Sequence, residues 1–246
     1  MISDVLARLD DIVDDANERS SPMGYFAALY RAVTREVAAG IEAGDFDDGP
    51  RMEELDVVFA RRYLDAYDAY RGGGAVTGSW RLAFDSTGQW WPVVLQHLLL
   101  GMNAHINLDL GIAAARVAPG DRLARLRADF DRINDILARL VDEVQDELAS
   151  IWPLLKLLDR TAARTDEAIV NFAMERARDH AWSLAERLAP LPVSEQGPVI
   201  ETVDRRIALV GRAVRHPGPW IGGVLAIVRL GELGTVRRKI EVLEGR

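Results

Sequence analysis

The sequence predicts an all-α fold, a single helical bundle of about eight helices around a buried central helix. Apolar residues recur at helical spacing along almost the whole chain, and no segment alternates apolar and polar residues between hairpin turns. The longest stretch without a charged residue, Ser86 to Leu108, contains too many polar side chains to face lipid. We therefore expect this stretch to form most of the central helix.

Turn signals between the apolar stripes divide the chain into the individual helices. Ser20 to Pro22, the acidic segment GDFDDGP and the triple glycine 72–74 separate the early helices. Pro92 suits a first helical turn, and Pro119 with Gly120 ends the central helix. The predicted helices are one that ends before Ser20, then residues 24–42, one that carries Met52 to Tyr67, and residues 90–117, 122–150, 165–188, 196–214 and 221–243.

Length and composition predict one domain over residues 1–246. The chain has 246 residues, of which 49% are hydrophobic, enough for a sizeable core. None of the links between helices resembles a long solvated linker. We expect a core of residues 23–190 with C-terminal helices, residues 195–246, packed on its side.

Charge and cysteine content exclude several function classes. The chain has no cysteine, which excludes disulfides, thiolate metal sites and cysteine nucleophiles. A net charge of -8 opposes binding to a phosphate backbone, so we expect no nucleic-acid partner. The N-terminus is acidic and amphipathic, unlike a secretory signal, so the expected location is the cytoplasm. We expect no membrane insertion, a buried late segment WIGGVLAIVRL, and a small-molecule ligand as partner.

His105 and Asp109 are the most informative polar residues of the central helix. They lie four residues apart, one helical turn, and so share a face of a helix that must be buried. Three interpretations stay open for the pair: a metal-binding pair, a catalytic acid–base pair, and a buried histidine that is merely satisfied by Asp109. The first two make His105 and Asp109 the candidate catalytic residues.

A metal site would need further ligands from other helices. Asp56, Asp179 and His180 are the best sources beside His105 and Asp109. A divalent metal ion is therefore one open alternative for a cofactor.

Asn103 and Asn107 lie on a roughly opposite face of the central helix, with Gln96 near them. Buried amides of this kind favour hydrogen bonds to the backbones of adjacent helices. A role in orienting a substrate is the second interpretation.

Three sequence blocks carry a resemblance to a known family. The strings LDVVFARRYLDAY, GMNAHINLDL and ERARDHAW, in this order, resemble the domain of unknown function 5995 family of bacterial proteins, over about residues 23–188. The resemblance implies that the three blocks belong together, and it implies no reaction. It marks these positions for testing: Asp56, Arg62, Asn103, His105, Asn107, Asp109, Arg176, Asp179 and Trp182.

The resulting hypothesis is a small-molecule enzyme that acts on a largely apolar metabolite by hydrolysis or by cyclisation or isomerisation. His105 and Asp109 would supply acid–base or metal-assisted chemistry, and the candidate substrate-binding residues are Asn103, Asn107, Tyr63, Trp182 and Arg176.

Two other function classes stay open. One is a non-catalytic ligand-binding or structural helical protein. The other is a terpene-cyclase-like enzyme, because Asp10, Asp11 and Asp14 match a DDxxD motif. The expected second motif is degenerate at Asn134-Asp135, with Ala138 in place of a serine oxygen ligand.

Overall fold

The computed structural model describes residues 1–133, 174–232 and 234–244, and helices account for most of them. No β-strand occurs in these ranges, which confirms the all-α prediction. Residues 123–133 are also helical. The labelled helices are α1 (Ile2–Arg19), α2 (Met23–Ala43), α3 (Gly49–Arg71), α4 (Gly78–Thr87), α5 (Val94–Ala104), α6 (Gly111–Val117), α7 (Met174–Leu188), α8 (Val193–Arg215), α9 (Pro219–Gly231) and α10 (Val236–Leu243).

The central helix is one continuous element, Val94–Val117, made of α5, a π-helical turn at His105–Leu110, and α6. Helices α2, α3, α4, α7 and α8 pack around it, as expected for a buried core helix. Among the described single helices, this one is long and apolar enough to span a membrane, and its apolar window is wholly buried inside the protein. The pair α9 and α10 meets the same test only with a bend of 103°.

Glycines let two helices approach the central helix closely. A Cβ atom on Gly111 would lie 2.5 Å from the backbone oxygen of Ala181, in α7. A Cβ atom on Gly101 would lie 2.5 Å from the ring of Phe26, in α2. Side chains at these positions would separate the helices that enclose the polar residues of the central helix.

Two buried aspartates fasten loops to distant helices. Asp129 accepts hydrogen bonds from the backbone N–H groups of Asp47 (2.7 Å) and Asp48 (3.0 Å), which precede α3. Asp204, in α8, accepts from the backbone N–H groups of Gly78 (2.6 Å) and Ser79 (3.0 Å) at the start of α4. Each carboxylate thus satisfies donors at the start of a helix, where no intrahelical partner exists.

A buried arginine joins the two ends of the described chain. Arg31, in α2, is 6% exposed. Its guanidinium group pairs with Asp10 of α1 at 2.5 Å and with Glu244, which follows α10. The first and last helices are therefore fixed to α2 by the same side chain.

Several predicted helix boundaries are wrong. Helix α4 was not predicted; it has only ten residues, and its capping carboxylate, Asp204, is distant in the sequence. The central helix begins at Val94 rather than Trp90. The predicted helix 221–243 breaks near Gly234, whose φ of +114° is incompatible with a right-handed helix. The predicted boundaries at residues 150 and 165 lie outside the described residues.

Helix α9 is buried along one face only. Ile221, Leu225 and Val228 pack with Val93, whereas the opposite side exposes large apolar residues. The segment WIGGVLAIVRL is thus only partly buried, in contrast to the expectation from its sequence. The exposed apolar residues of α9 are Trp220, Ile227 and Leu230.

The close approach at Gly111 predicts the outcome of two glycine substitutions. Gly111→Ala should lower the free energy of unfolding by about 1–3 kcal/mol, because the new methyl group meets the α7 backbone. Gly223→Ala, in α9, meets no atom within 4 Å and should raise it by about 0.5–1 kcal/mol. Urea unfolding monitored by circular dichroism measures both. Equal effects of the two substitutions would contradict the packing described for Gly111.

Candidate functional site

The candidate site is centred on the Asp109 carboxylate, which is 0% exposed. Its Oδ1 accepts from Nε of Arg62 at 3.0 Å, and its Oδ2 accepts from Nε1 of Trp80 at 2.7 Å. Nδ1 of His105 lies 3.2 Å from Oδ2. The three partners come from α3, α4 and the preceding turn of the central helix. The Arg62 cation, the Trp80 indole and the His105 ring thus converge on one buried carboxylate.

The geometry around Asp109 determines the tautomer of His105. An ionised carboxylate only accepts hydrogen bonds, so the proton of the neutral imidazole lies on Nδ1. Nε2 then carries a lone pair, and none of the described residues forms a hydrogen bond with it. Burial lowers the pKa of His105, against the opposing effect of Asp109, so the ring is neutral at pH 7.

Aromatic rings enclose the His105 imidazole. The Phe59 ring stacks on it with centroids 3.6 Å apart and planes inclined by 8°. The Tyr30 ring meets it edge-on at 4.5 Å. Phe26, Tyr63 and Trp80 complete the enclosure at 5.7, 6.1 and 5.9 Å. The backbone turns from α-helical to π-helical at His105, and such turns are frequent at functional sites.

Four buried polar atoms in this neighbourhood have no hydrogen-bond partner of good geometry among the described residues: His105 Nε2, the Tyr30 and Tyr63 hydroxyls, and Oδ2 of Asp56. The Thr34 side chain is near the Tyr30 hydroxyl and slightly opposes the rise in its pKa. Asp56 is close enough to Tyr30 for its charge to raise the pKa of that hydroxyl, although burial is the larger cause. The pKa of Asp56 itself is raised to about 7, chiefly by burial and also by Glu53. We call these four residues the unpaired polar cluster.

Comparison with family models gives a match to the family of unknown function DUF5995 over residues 2–217. The chain belongs to the DUF5995 family. The match confirms the resemblance and extends it to α1 and through α8. Searches of curated proteins and of solved structures give no match.

The sequence blocks that indicate the DUF5995 family meet at the central helix. Block LDVVFARRYLDAY lies in α3 and supplies Asp56, Phe59, Arg62 and Tyr63 to the site. Block ERARDHAW lies in α7, which packs against the π-helical turn and α6. The expected proximity of the three blocks is therefore confirmed.

Asn103 and Asn107 make structural hydrogen bonds. Asn103 Nδ2 donates to the backbone oxygen of Ile207 in α8 at 3.0 Å, and Asn107 Nδ2 donates to Oδ1 of Asn103 at 3.2 Å. Gln96 similarly donates to the backbone oxygen of Val214 at 2.8 Å. The bonds of Asn103 and Gln96 are the expected cross-links to the backbone of an adjacent helix, whereas Asn107 bonds within the central helix. Neither of these two asparagine hydrogen bonds reaches His105 or Asp109.

The predicted residues of α7 do not join the site. Arg176, Asp179 and His180 are exposed. Trp182 packs against Phe130 with centroids 5.0 Å apart, and its indole N–H donates to Glu186 at 2.8 Å. Of the five predicted substrate-binding residues, only Tyr63 contacts the His105 ring.

The predicted metal ligands are also not gathered. Within residues 1–133, 174–232 and 234–244, no group of three or more His, Asp and Glu side chains is placed to hold a metal ion. His105 and Asp109 are adjacent, whereas Asp179 and His180 are exposed on α7. In the DDxxD segment, Asp10 pairs with Arg31 and Arg35, and Asp11 pairs with Arg8. The expected second motif at Asn134 lies outside the described residues.

Sequence reasoning missed Tyr30, Phe26 and Phe59. The sequence nevertheless contains a signal for these residues, namely two aromatic pairs whose members lie four residues apart. The pairs are Phe26 with Tyr30 in α2 and Phe59 with Tyr63 in α3. Such pairs lie on one face of a helix. Two aromatic faces that must be buried indicate a common aromatic cluster.

The raised pKa of Asp56 predicts a pH-dependent stability. Between about pH 4 and 7 the folded protein keeps a proton on Asp56 that the unfolded chain has lost, so this residue lowers stability as pH rises. Asp56→Asn removes this effect. We therefore expect the variant to gain stability relative to the unchanged protein as pH rises from 4 to 8, by about 4 kcal/mol at most.

Urea unfolding of both proteins at matched pH values measures this gain. The buried histidines, whose pKa values are lowered, make both proteins more stable as pH rises. This contribution cancels when the free energy of unfolding of one protein is subtracted from that of the other. Asp68→Asn, at an exposed carboxylate, is the control. A pH-independent difference for Asp56→Asn would contradict the prediction.

Proposed function

We propose that the protein is an enzyme that transfers a proton on a small, largely apolar metabolite, with His105 as general base and acid. The observation that carries the proposal is the unpaired polar cluster around an imidazole whose tautomer is fixed. Each unpartnered buried polar atom costs about 1–3 kcal/mol of stability. A core that served packing alone would not favour four of them side by side.

His105 has the arrangement that proton transfer requires. Asp109 holds the Nδ1 proton and leaves the Nε2 lone pair available, and the lowered pKa keeps the ring neutral. When Nε2 takes a proton from the substrate, the adjacent carboxylate stabilises the imidazolium ion. Arg62 and Trp80 keep Asp109 in place, so Asp109 is a positioning residue.

The tyrosine hydroxyls supply donors beside the base. Burial raises the pKa of Tyr30 and of Tyr63, so both keep their protons. A protonated hydroxyl donates a hydrogen bond to a substrate oxygen that gains negative charge as the proton leaves. The substrate is thus a molecule with one oxygen-bearing group on an apolar frame that fits among aromatic rings.

Phe26 is the natural point of entry. Of the five rings that surround His105, it is the one that is only partly buried. Its ring lies directly against the backbone of Gly101, where a Cβ atom would be 2.5 Å from the ring. The Phe26 side chain would have to move away from Gly101 to open a path to His105.

A non-catalytic structural role is the second candidate. The observation that favours it is the set of three donors on Asp109, which joins α3, α4 and the central helix. Under this alternative the histidine serves stability and no metabolite reacts.

Isotope exchange distinguishes the two candidates. The protein is incubated in D₂O with a protein-free metabolite extract, and mass spectrometry identifies compounds that gain deuterium or change mass. We expect His105→Gln to remain folded, by circular dichroism, and to reduce the exchange rate about 100-fold or more. His216→Gln, at an exposed histidine, is the matched control and should behave like the unchanged protein.

The tautomer supplies an independent test. Nitrogen NMR of the unchanged protein at pH 7 should show a protonated Nδ1 and an unprotonated Nε2 on His105. A proton on Nε2 would contradict the assignment of His105 as base. Exchange that is absent from the unchanged protein, or that persists in His105→Gln, would favour the structural candidate.

A further inference from the structure

A pocket with a volume of about 220 Å³ lies beside the N-terminal end of the central helix. Its polar and aromatic lining includes Tyr25, Trp90, His97, Arg229, Glu232 and Lys239. His97 and His105 are eight residues apart, about 12 Å along the helix axis, so the pocket is separate from the candidate site. Arg229, Glu232 and Lys239 follow residue 217, where the family match ends.

We propose that this pocket binds a small carboxylic acid with a flat apolar group. Three features of the pocket support this ligand class: its charge, its unpartnered nitrogen atoms, and its aromatic wall. The volume is below the roughly 300 Å³ of sites for drug-sized ligands, which indicates a small molecule.

Two cations and one carboxylate of the described residues line the pocket. Glu232 accepts hydrogen bonds from the backbone N–H of Val94 at 2.9 Å, from Arg229 at 2.9 Å and from Lys239 at 3.1 Å. Its two oxygens are therefore occupied, and among the residues that the structure describes Glu232 is the one acidic residue that lines the pocket. A ligand carboxylate would be attracted by the Arg229 and Lys239 cations, and partial burial strengthens that attraction.

Two buried nitrogen atoms of the lining residues, Nε of Arg229 and Nδ1 of His97, have no hydrogen-bond partner within the part of the chain that the structure describes. His97 is 7% exposed. Its pKa is lowered to about 4, first by burial and then by Arg229 and Lys239, so the ring is neutral at pH 7. A ligand carboxylate would accept from Nε of Arg229.

Trp90 gives the pocket an exposed aromatic wall. Its side chain is 66% exposed, and the Arg229 guanidinium lies 5.1 Å from its ring centroid. Pro22 and Pro92 also line the pocket and add apolar surface. A flat group on the ligand would stack on Trp90 while its carboxylate reaches Arg229.

Benzoate is the probe for this pocket, and benzamide is the uncharged probe of nearly the same shape. We expect benzoate to shift the NMR signals of the Trp90 indole and the His97 ring, and benzamide to bind at least tenfold more weakly. Arg229→Gln should weaken benzoate binding about tenfold, and Trp90→Ala should also weaken it. Arg205→Gln, at an exposed arginine that pairs with Glu201, is the matched control.

The controls decide whether the pocket has the proposed specificity. Circular dichroism establishes that each variant is folded, and Lys239→Gln provides a second variant should Arg229→Gln fail to fold. Equal binding of benzamide would overturn the requirement for a carboxylate. Benzoate shifts that are absent at millimolar concentrations, or unchanged in both Arg229→Gln and Lys239→Gln, would overturn the site itself.

Discussion

The buried carboxylate of Asp109 constrains much of the bundle. A charge at 0% exposure is tolerated only with several donors, and those donors come from α3, α4 and the central helix. The positions of Arg62 and Trp80 relative to His105 are thereby fixed. The aromatic cluster follows from the same constraint, because Trp80 must insert its indole into the core to reach Asp109. Loss of the carboxylate would release all three partners together.

The fold class was predictable because the helical period of apolar residues is local information. The same reasoning failed where a distant residue supplies the stabilising contact. Helix α4 is short, and Asp204 caps it from more than a hundred residues away. The break at Gly234 depends on a backbone conformation that a glycine permits but does not require. Helix propensity alone could therefore predict neither helix α4 nor the break at Gly234.

The pairing of His105 with Asp109 was predictable from their spacing within one helix, and so was the bond between Asn103 and Asn107. Contacts between helices were not, because periodicity defines a buried face without naming its partner. Asp179 and His180 were expected near His105 for their chemistry, yet α7 presents them to solvent. Arg62, which the family resemblance marked for testing, proved to be a direct partner of Asp109.

The ion pairs of Arg31 bear on how the chain folds during synthesis. Arg31 and Asp10 leave the ribosome early, but Glu244 follows more than two hundred residues later. Until Glu244 has been made, the Arg31 cation lacks one of its two carboxylate partners. A buried cation with an incomplete set of partners opposes the packing of other helices around α2. The docking of α10 on α2 would therefore wait until more than two hundred further residues have been made.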